Sequence, residues 1–110
     1  MAFYECTFIA RQDLAPSDVK KLTEERVALL EKHGAKVMKQ ENWGIRTLAY
    51  EINKNRKGHY VFLGVEAKEE ALEAYRNEQR LSEEVVRNVE IFVEEMDANK
   101  PTVMMRDEAA

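Results

Sequence analysis

The sequence predicts an α+β domain: a four-stranded antiparallel sheet with two helices on one face. Three observations predict it. Stretches rich in aromatic and β-branched residues alternate with stretches of helical apolar spacing. Their order is strand, helix, strand, strand, helix, strand. Only a short basic turn separates the two middle strands, so they pair as a hairpin. At 110 residues and 45% hydrophobic composition, the chain can build one domain around one small core.

Each element follows from its residues. Phe3 to Ala10 is a strand with Tyr4, Cys6 and Phe8 on one face and Phe3, Glu5, Thr7 and Ile9 on the other. Arg11 to Ala15 is a loop. Pro16 then suits a first helical position, where its missing N–H is no loss. From Ser17 to His33, Val19, Leu22, Val27, Leu29 and Leu30 recur at helical spacing, and Gly34 follows as a left-handed stop. Lys36 to Tyr50 is a long extended stretch in which Gly44 suggests a bulge or a close backbone approach. Asn53 to Gly58 is a turn by composition. His59 to Ala67 is a strand with Val61, Leu63 and Val65 on one face and Tyr60, Phe62, Gly64 and Glu66 on the other. Lys68 to Leu81 is a helix presenting Ala71, Leu72, Tyr75 and Gln79 inward. Val85 to Val93 is the last strand. A folded domain over residues 1–96 is therefore expected, followed by a polar tail over 97–110 whose Val103-Met104-Met105 could dock on a partner.

The βαββαβ order makes two split βαβ units, the ferredoxin-like arrangement. One face of its sheet packs on the helices. The other is left uncovered, and Phe3, Tyr60, Phe62 and Phe92 are expected on it, with Trp43 near its end. Aromatics on an uncovered face form a candidate interaction surface.

Charge is unevenly spread. The net charge is −4, but residues 1–35, 36–60 and 61–110 balance to −1, +4 and −7. A basic middle in an acidic chain focuses positive potential at one place. Lys54, Arg56 and Lys57 cluster at the hairpin turn, with Arg46 upstream and Trp43, Tyr50, His59 and Tyr60 alongside. A basic hairpin tip taken alone is commonly just solvated surface. Cations beside aromatics are the pairing that holds RNA backbone and unstacked bases.

Catalysis finds little support. His33 and His59 have no cysteine or carboxylate partner at ligand or triad spacing. Ser17 and Ser82 lack the glycines of a nucleophile elbow, and no glycine-rich phosphate loop occurs. Cys6, the single cysteine, reads as a small buried hydrophobe in a strand. No enzyme activity, metal, cofactor or small-molecule substrate is expected. No run approaches about 20 apolar residues, so no membrane span is expected. The opening Met1-Ala2-Phe3-Tyr4-Glu5 has neither the basic nor the apolar region of a secretory signal. A reducing, cytoplasmic setting fits.

The run from Trp43 to Lys54, Trp-Gly-Ile-Arg-Thr-Leu-Ala-Tyr-Glu-Ile-Asn-Lys, resembles the signature of the family of the sixth small-subunit ribosomal protein. Lys57-Gly58-His59-Tyr60 continues that pattern. Tyr4-Glu5, Gly34-Ala35 and Val85-Val86-Arg87 also match. The resemblance covers residues 1 to about 97. One departure is Thr47, where the family usually has a charged or amide residue. The resemblance implies the ferredoxin-like fold, a place in the ribosome and binding to small-subunit ribosomal RNA. It also implies a heterodimer with the eighteenth small-subunit protein. Candidate RNA-binding residues are then Tyr4, Trp43, Arg46, Lys54, Arg56, Lys57 and Arg87. Candidate partner-binding residues are Phe3, Tyr60, Phe62 and Phe92, with the start of the tail.

Three other readings share the element order. A stand-alone RNA-recognition motif would need aromatics where this chain has His59, Val61 and Gly64. A regulatory ligand-binding domain would need a glycine-lined loop. An acylphosphatase-like enzyme would need a phosphate cradle after the first strand, where Arg11-Gln12-Asp13-Leu14 has no glycine.

Overall fold

A computed structural model describes residues 2–52 and 54–94. The tail expected from residue 97, with Val103-Met104-Met105, and the expected domain end at residue 96 lie outside the described residues. The elements are β1 (Ala2–Arg11), α1 (Pro16–Lys32), β2 (Lys36–Ile52), β3 (Asn55–Ala67), α2 (Glu69–Leu81) and β4 (Val85–Val93). The sheet runs in the order β2-β3-β1-β4 with every neighbouring pair antiparallel. The ferredoxin-like arrangement expected from the sequence is the one observed.

Helix α1 starts at Pro16, and the Asp18 carboxylate accepts the Ala15 N–H at 3.2 Å. Gly34 ends it at φ 87°, with the Ala35 N–H reaching the Leu30 carbonyl and the Gly34 N–H the Glu31 carbonyl. That Schellman pair satisfies two carbonyls that the helix would leave open. Helix α2 buries Ala71, Leu72, Tyr75 and Gln79, the residues its periodicity marked.

The core sits between the helices and the two central strands. Cys6, Leu63, Val65 and Ala67 pack against Leu30, Ala71, Leu72 and Tyr75. Phe8, Ala10 and Val61 pack against Val19 and Leu22. A polar chain crosses this layer. Arg26 Nε donates to Gln79 Oε1 at 2.7 Å, Gln79 Nε2 donates to the Tyr75 hydroxyl at 3.0 Å, and that hydroxyl donates to Asn88 Oδ1 at 3.0 Å. Periodicity did not mark Arg26 as buried. Its guanidinium Nε finds its acceptor in the interior in the Gln79 side-chain oxygen.

Two expectations need correction. The turn is shorter than Asn53 to Gly58: β3 already begins at Asn55, so Arg56 and Lys57 are strand residues. Left-handed backbone falls on Lys54, at φ 67°. Phe92 lies on the helix side of the sheet rather than the uncovered side. It pairs with Tyr4 in the register and meets the Tyr4 ring edge-on at 5.8 Å. The residues of β4 that share a face with Phe3, Glu5 and Thr7 are Val93, Ile91 and Val89. A period of two makes such an assignment flip with a one-residue slip.

Candidate nucleic-acid interface

The long hairpin β2–β3 builds the site. Between Asn42 and Gly44 the register with β3 shifts, leaving Trp43 as an extra residue in β2. Gly44 takes φ 76°, and Asn42 Oδ1 accepts its N–H at 2.9 Å. Nothing lies within 4 Å of where a Gly44 side chain would start, so the glycine serves conformation rather than space. The bulge swings Trp43 over the face away from the helices. There its ring lies nearly parallel to Tyr60, at 6.2 Å and 11°, and to Phe62, at 6.1 Å and 5°. The Arg46 guanidinium sits over the Trp43 ring at 5.2 Å, and Lys39 Nζ lies 5.7 Å from the Phe62 ring centre. Each is within the range of cation–π attraction.

A further irregularity follows. Thr47 pairs with Lys57 and Ile52 with Asn55, so residues 48–51 bow out of the ladder. Leu48 packs with Ile9 and Tyr60, beside Trp43 and Val86. The Tyr50 hydroxyl accepts a hydrogen bond from Arg87 of β4 at 3.3 Å, across the width of the sheet. The segment therefore covers the hairpin end of the face expected to be open. Tyr60 and Phe62 point to that face, as expected, but they are 9% and 0% exposed. They are floor beneath Trp43 and Leu48, which corrects the expectation that they lie exposed on an uncovered face. Phe3 stays half-buried at the far end.

Of the expected RNA-binding residues, Arg46, Lys54, Arg56, Lys57 and Arg87 are exposed and Trp43 is half-buried. The structure brings Arg46 to Trp43, Arg87 to Tyr50, and Lys54, Arg56 and Lys57 to one hairpin tip. It does not bring Tyr4 to them. Tyr4 is on the helix side and pairs with Val65, toward the opposite end of the sheet from Gly58.

Residues outside the expected binding set hold the tip in place, Gln12 among them, which no motif marked. Strand β1 ends opposite Gly58, so the start of β3 overhangs the sheet. Gln12 Oε1 accepts the N–H groups of Arg56 and Lys57 at 3.3 and 3.1 Å, and Asn55 Oδ1 accepts the Gln12 N–H at 3.2 Å. His59 Nε2 lies 2.9 Å from the Leu14 carbonyl, to which it donates. Gly58 is required by space: a Cβ there would collide with Ile9 Cγ2. Among the described residues, no group of three metal-ligating side chains comes together, and no helix is long and apolar enough to cross a membrane.

Comparison with known proteins points to one family. A family model described as ribosomal protein S6 matches residues 3–91. The small ribosomal subunit protein bS6 of Bradyrhizobium diazoefficiens is 44% identical over 106 residues, covering 96% of this chain and 63% of that protein. The bS6 of a Caulobacter species is 43% identical, covering 96% of this chain and 84% of the relative. This chain thus spans under two thirds of the length of the Bradyrhizobium protein. The crystal structure of 30S ribosomal protein S6 from Thermotoga maritima superposes with a TM-score of 0.80 at 26% identity, over 84% of this chain and 87% of that one. The family model spans nearly all the described residues, the relatives match along 96% of the chain, and the chain belongs to the ribosomal protein S6 family.

Proposed function

We propose that this chain is a non-catalytic constituent of the small ribosomal subunit in the cytoplasm, and that it binds ribosomal RNA as one half of a protein pair. The partner would be the eighteenth small-subunit protein. The observation that carries the reading is the hairpin: three exposed cations, Lys54, Arg56 and Lys57, at a clamped tip, with Arg46 laid on Trp43 beside them. Such a tip reaches phosphates along a folded RNA, where lysine acts as a point charge and arginine as a planar fork. A net charge of −4 makes the whole chain a poor general polyanion binder, so a basic partner is needed for much of the phosphate neutralisation.

The alternative of a stand-alone RNA-recognition motif is disfavoured by burial. Such a domain stacks bases on exposed sheet aromatics, and here Tyr60 and Phe62 are covered. For the protein partner, Phe3 with Val89 and Ile91 offers a half-buried apolar rim on the face away from the helices.

The test is a titration of central-domain ribosomal RNA fragments with this chain, alone and with the partner. Weak binding alone and tight, salt-sensitive binding together are expected. Tight, sequence-tolerant binding to short single strands without a partner would refute the reading. So would an Arg46→Ala/Lys57→Ala variant that assembles as well as the parent.

A further inference from the structure

We infer that Gln12 is a positioning residue for the basic hairpin tip. It presets the tip's cations for phosphate without itself touching the RNA. The inference rests on the RNA-binding reading above and deepens it.

The argument begins with where hydrogen bonds run out. Strands β2 and β3 continue past the end of β1, which stops opposite Gly58. From Lys57 back to Asn55 the hairpin is a two-stranded ribbon with its β1-side edge unpaired by any strand. A two-stranded ribbon is marginal in water. This one is weakened further, because residues 48–51 leave the ladder and only Ile52 with Asn55 closes it beyond Thr47 with Lys57. Geometry alone would leave the tip loose.

Gln12 replaces the missing strand. Its one side-chain oxygen accepts two successive N–H groups, those of Arg56 and Lys57, and its own N–H is taken by the Asn55 side chain. Three consecutive residues of the ribbon are thereby tied to one residue of the β1–α1 loop. That loop is anchored in turn, by the Arg11 N–H on the Glu84 carbonyl at 2.9 Å and by His59 on the Leu14 carbonyl. The side chains of Arg56 and Lys57 are left exposed. The clamp therefore fixes the backbone that carries two cations and leaves their charged ends available.

Holding a segment in its bound conformation raises affinity by removing the ordering penalty from the binding step. Charge removal acts differently, since each lost phosphate contact lowers the salt dependence of binding. Positioning and contact are therefore separable in one experiment.

The experiment uses the full chain in three variants, Gln12→Ala, Gln12→Glu and Lys57→Ala. Amide hydrogen exchange without RNA comes first. Gln12→Ala should speed exchange at Arg56 and Lys57 about tenfold or more, while Cys6 and Leu63 keep their protection. Gln12→Glu retains an acceptor and should restore the slow exchange. Binding to the central-domain RNA fragment with the partner follows, over a range of salt. Gln12→Ala should bind about three- to tenfold more weakly, with the slope of log affinity against log salt unchanged. Lys57→Ala should lower that slope by about one.

Unchanged exchange in Gln12→Ala overturns the clamp. Parental affinity in Gln12→Ala, beside weakened binding in Lys57→Ala, overturns the positioning role alone. A reduced salt slope in Gln12→Ala does so too, because the residue would then be acting on charge contacts. Parental affinity in Arg46→Ala/Lys57→Ala overturns the RNA-binding reading, and this inference with it.

Discussion

Replacing Gly58 with alanine should destabilise the fold by about 1–3 kcal/mol, the usual penalty for forcing a methyl group into a filled site. Gly58 lies in β3 between Arg11 of β1 and Arg46 of β2. Its φ is outside the left-handed region, so the backbone does not demand glycine there. The demand is spatial: a Cβ would enter the van der Waals surface of Ile9 Cγ2 and sit 3.3 Å from the Ala10 carbonyl oxygen. Relief must come from Ile9, since β1 and β3 pair along the whole of β1. Ile9 is β-branched and stiff at χ1. It is also enclosed by Leu48 and Tyr60, with Trp43 and Val86 beside them, so rotation moves the clash rather than ending it. Equilibrium urea unfolding measures the loss, and the melting temperature should fall by roughly 4–8 °C per kcal/mol. A double-mutant cycle identifies the cause. Ile9→Ala removes Cγ2 and should itself cost about 2–4 kcal/mol. In that background Gly58→Ala should lose most of its penalty, a coupling of about 1 kcal/mol or more. Parental stability of Gly58→Ala, or an equal cost in both backgrounds, would refute the reasoning.

Two further outcomes follow from the core. Burial pushes the Cys6 thiol far above its ordinary range, and the charge of Glu90 adds to this. The folded state therefore keeps the neutral thiol while the unfolded chain ionises above about pH 9. Stability from this group is fully present below that pH and falls above it by about 1.4 kcal/mol per pH unit. Urea unfolding across the alkaline range should show a shallower decline in Cys6→Ala than in the parent, and equal declines would contradict the burial argument. Gln79→Leu keeps volume but leaves Arg26 Nε without its acceptor, so a loss of about 2–3 kcal/mol is expected. Adding Arg26→Met should recover most of it in thermal melts; a single variant within about 0.5 kcal/mol of the parent would show that the polar chain is idle.

The parts readable from sequence were those governed by a local period. The α2 face Ala71, Leu72, Tyr75 and Gln79 follows from helical spacing, and Gly34 announced the end of α1. Gly44 signalled a bulge because glycine inside a strand pattern has few other uses. What escaped the sequence were events that break the period or span it. The bow at residues 48–51 leaves no trace in a run with no glycine, proline or turn signal of its own, so Leu48 and Tyr50 read as ordinary strand residues and Tyr60 and Phe62 as exposed ones. Alternation alone does not set the register of β4 against β1, so Phe92 reads from sequence as facing the uncovered side while it pairs with Tyr4 on the helix side. Gln12 gave no signal, since its partners are backbone amides 44 and 45 positions away in the sequence.

Stability and candidate function are divided between different parts of the sheet, and that division decides which variants can be interpreted. Among the strands, the central pair β1 and β3 supplies the fully enclosed residues, among them Cys6, Phe8, Val61, Leu63 and Val65, and the helices supply their partners. The cations of the candidate interface lie on the edge strands and at the tip: Arg46 on β2, Arg87 on β4, and Lys54, Arg56 and Lys57 where the hairpin overhangs. An exposed cation replaced there removes charge without opening a cavity, and such surface changes usually alter stability by less than about 0.5 kcal/mol. Loss of RNA binding in Arg46→Ala or Lys57→Ala thus reports on the interface. Trp43 is different. Its ring roofs Tyr60 and Phe62, so Trp43→Ala unroofs part of the sheet as well as removing a contact. Trp43→Phe, which keeps an aromatic cover, separates the two effects: if Arg46 needs the ring only as a platform, that variant should bind RNA nearly as the parent does, while Trp43→Ala loses both stability and binding.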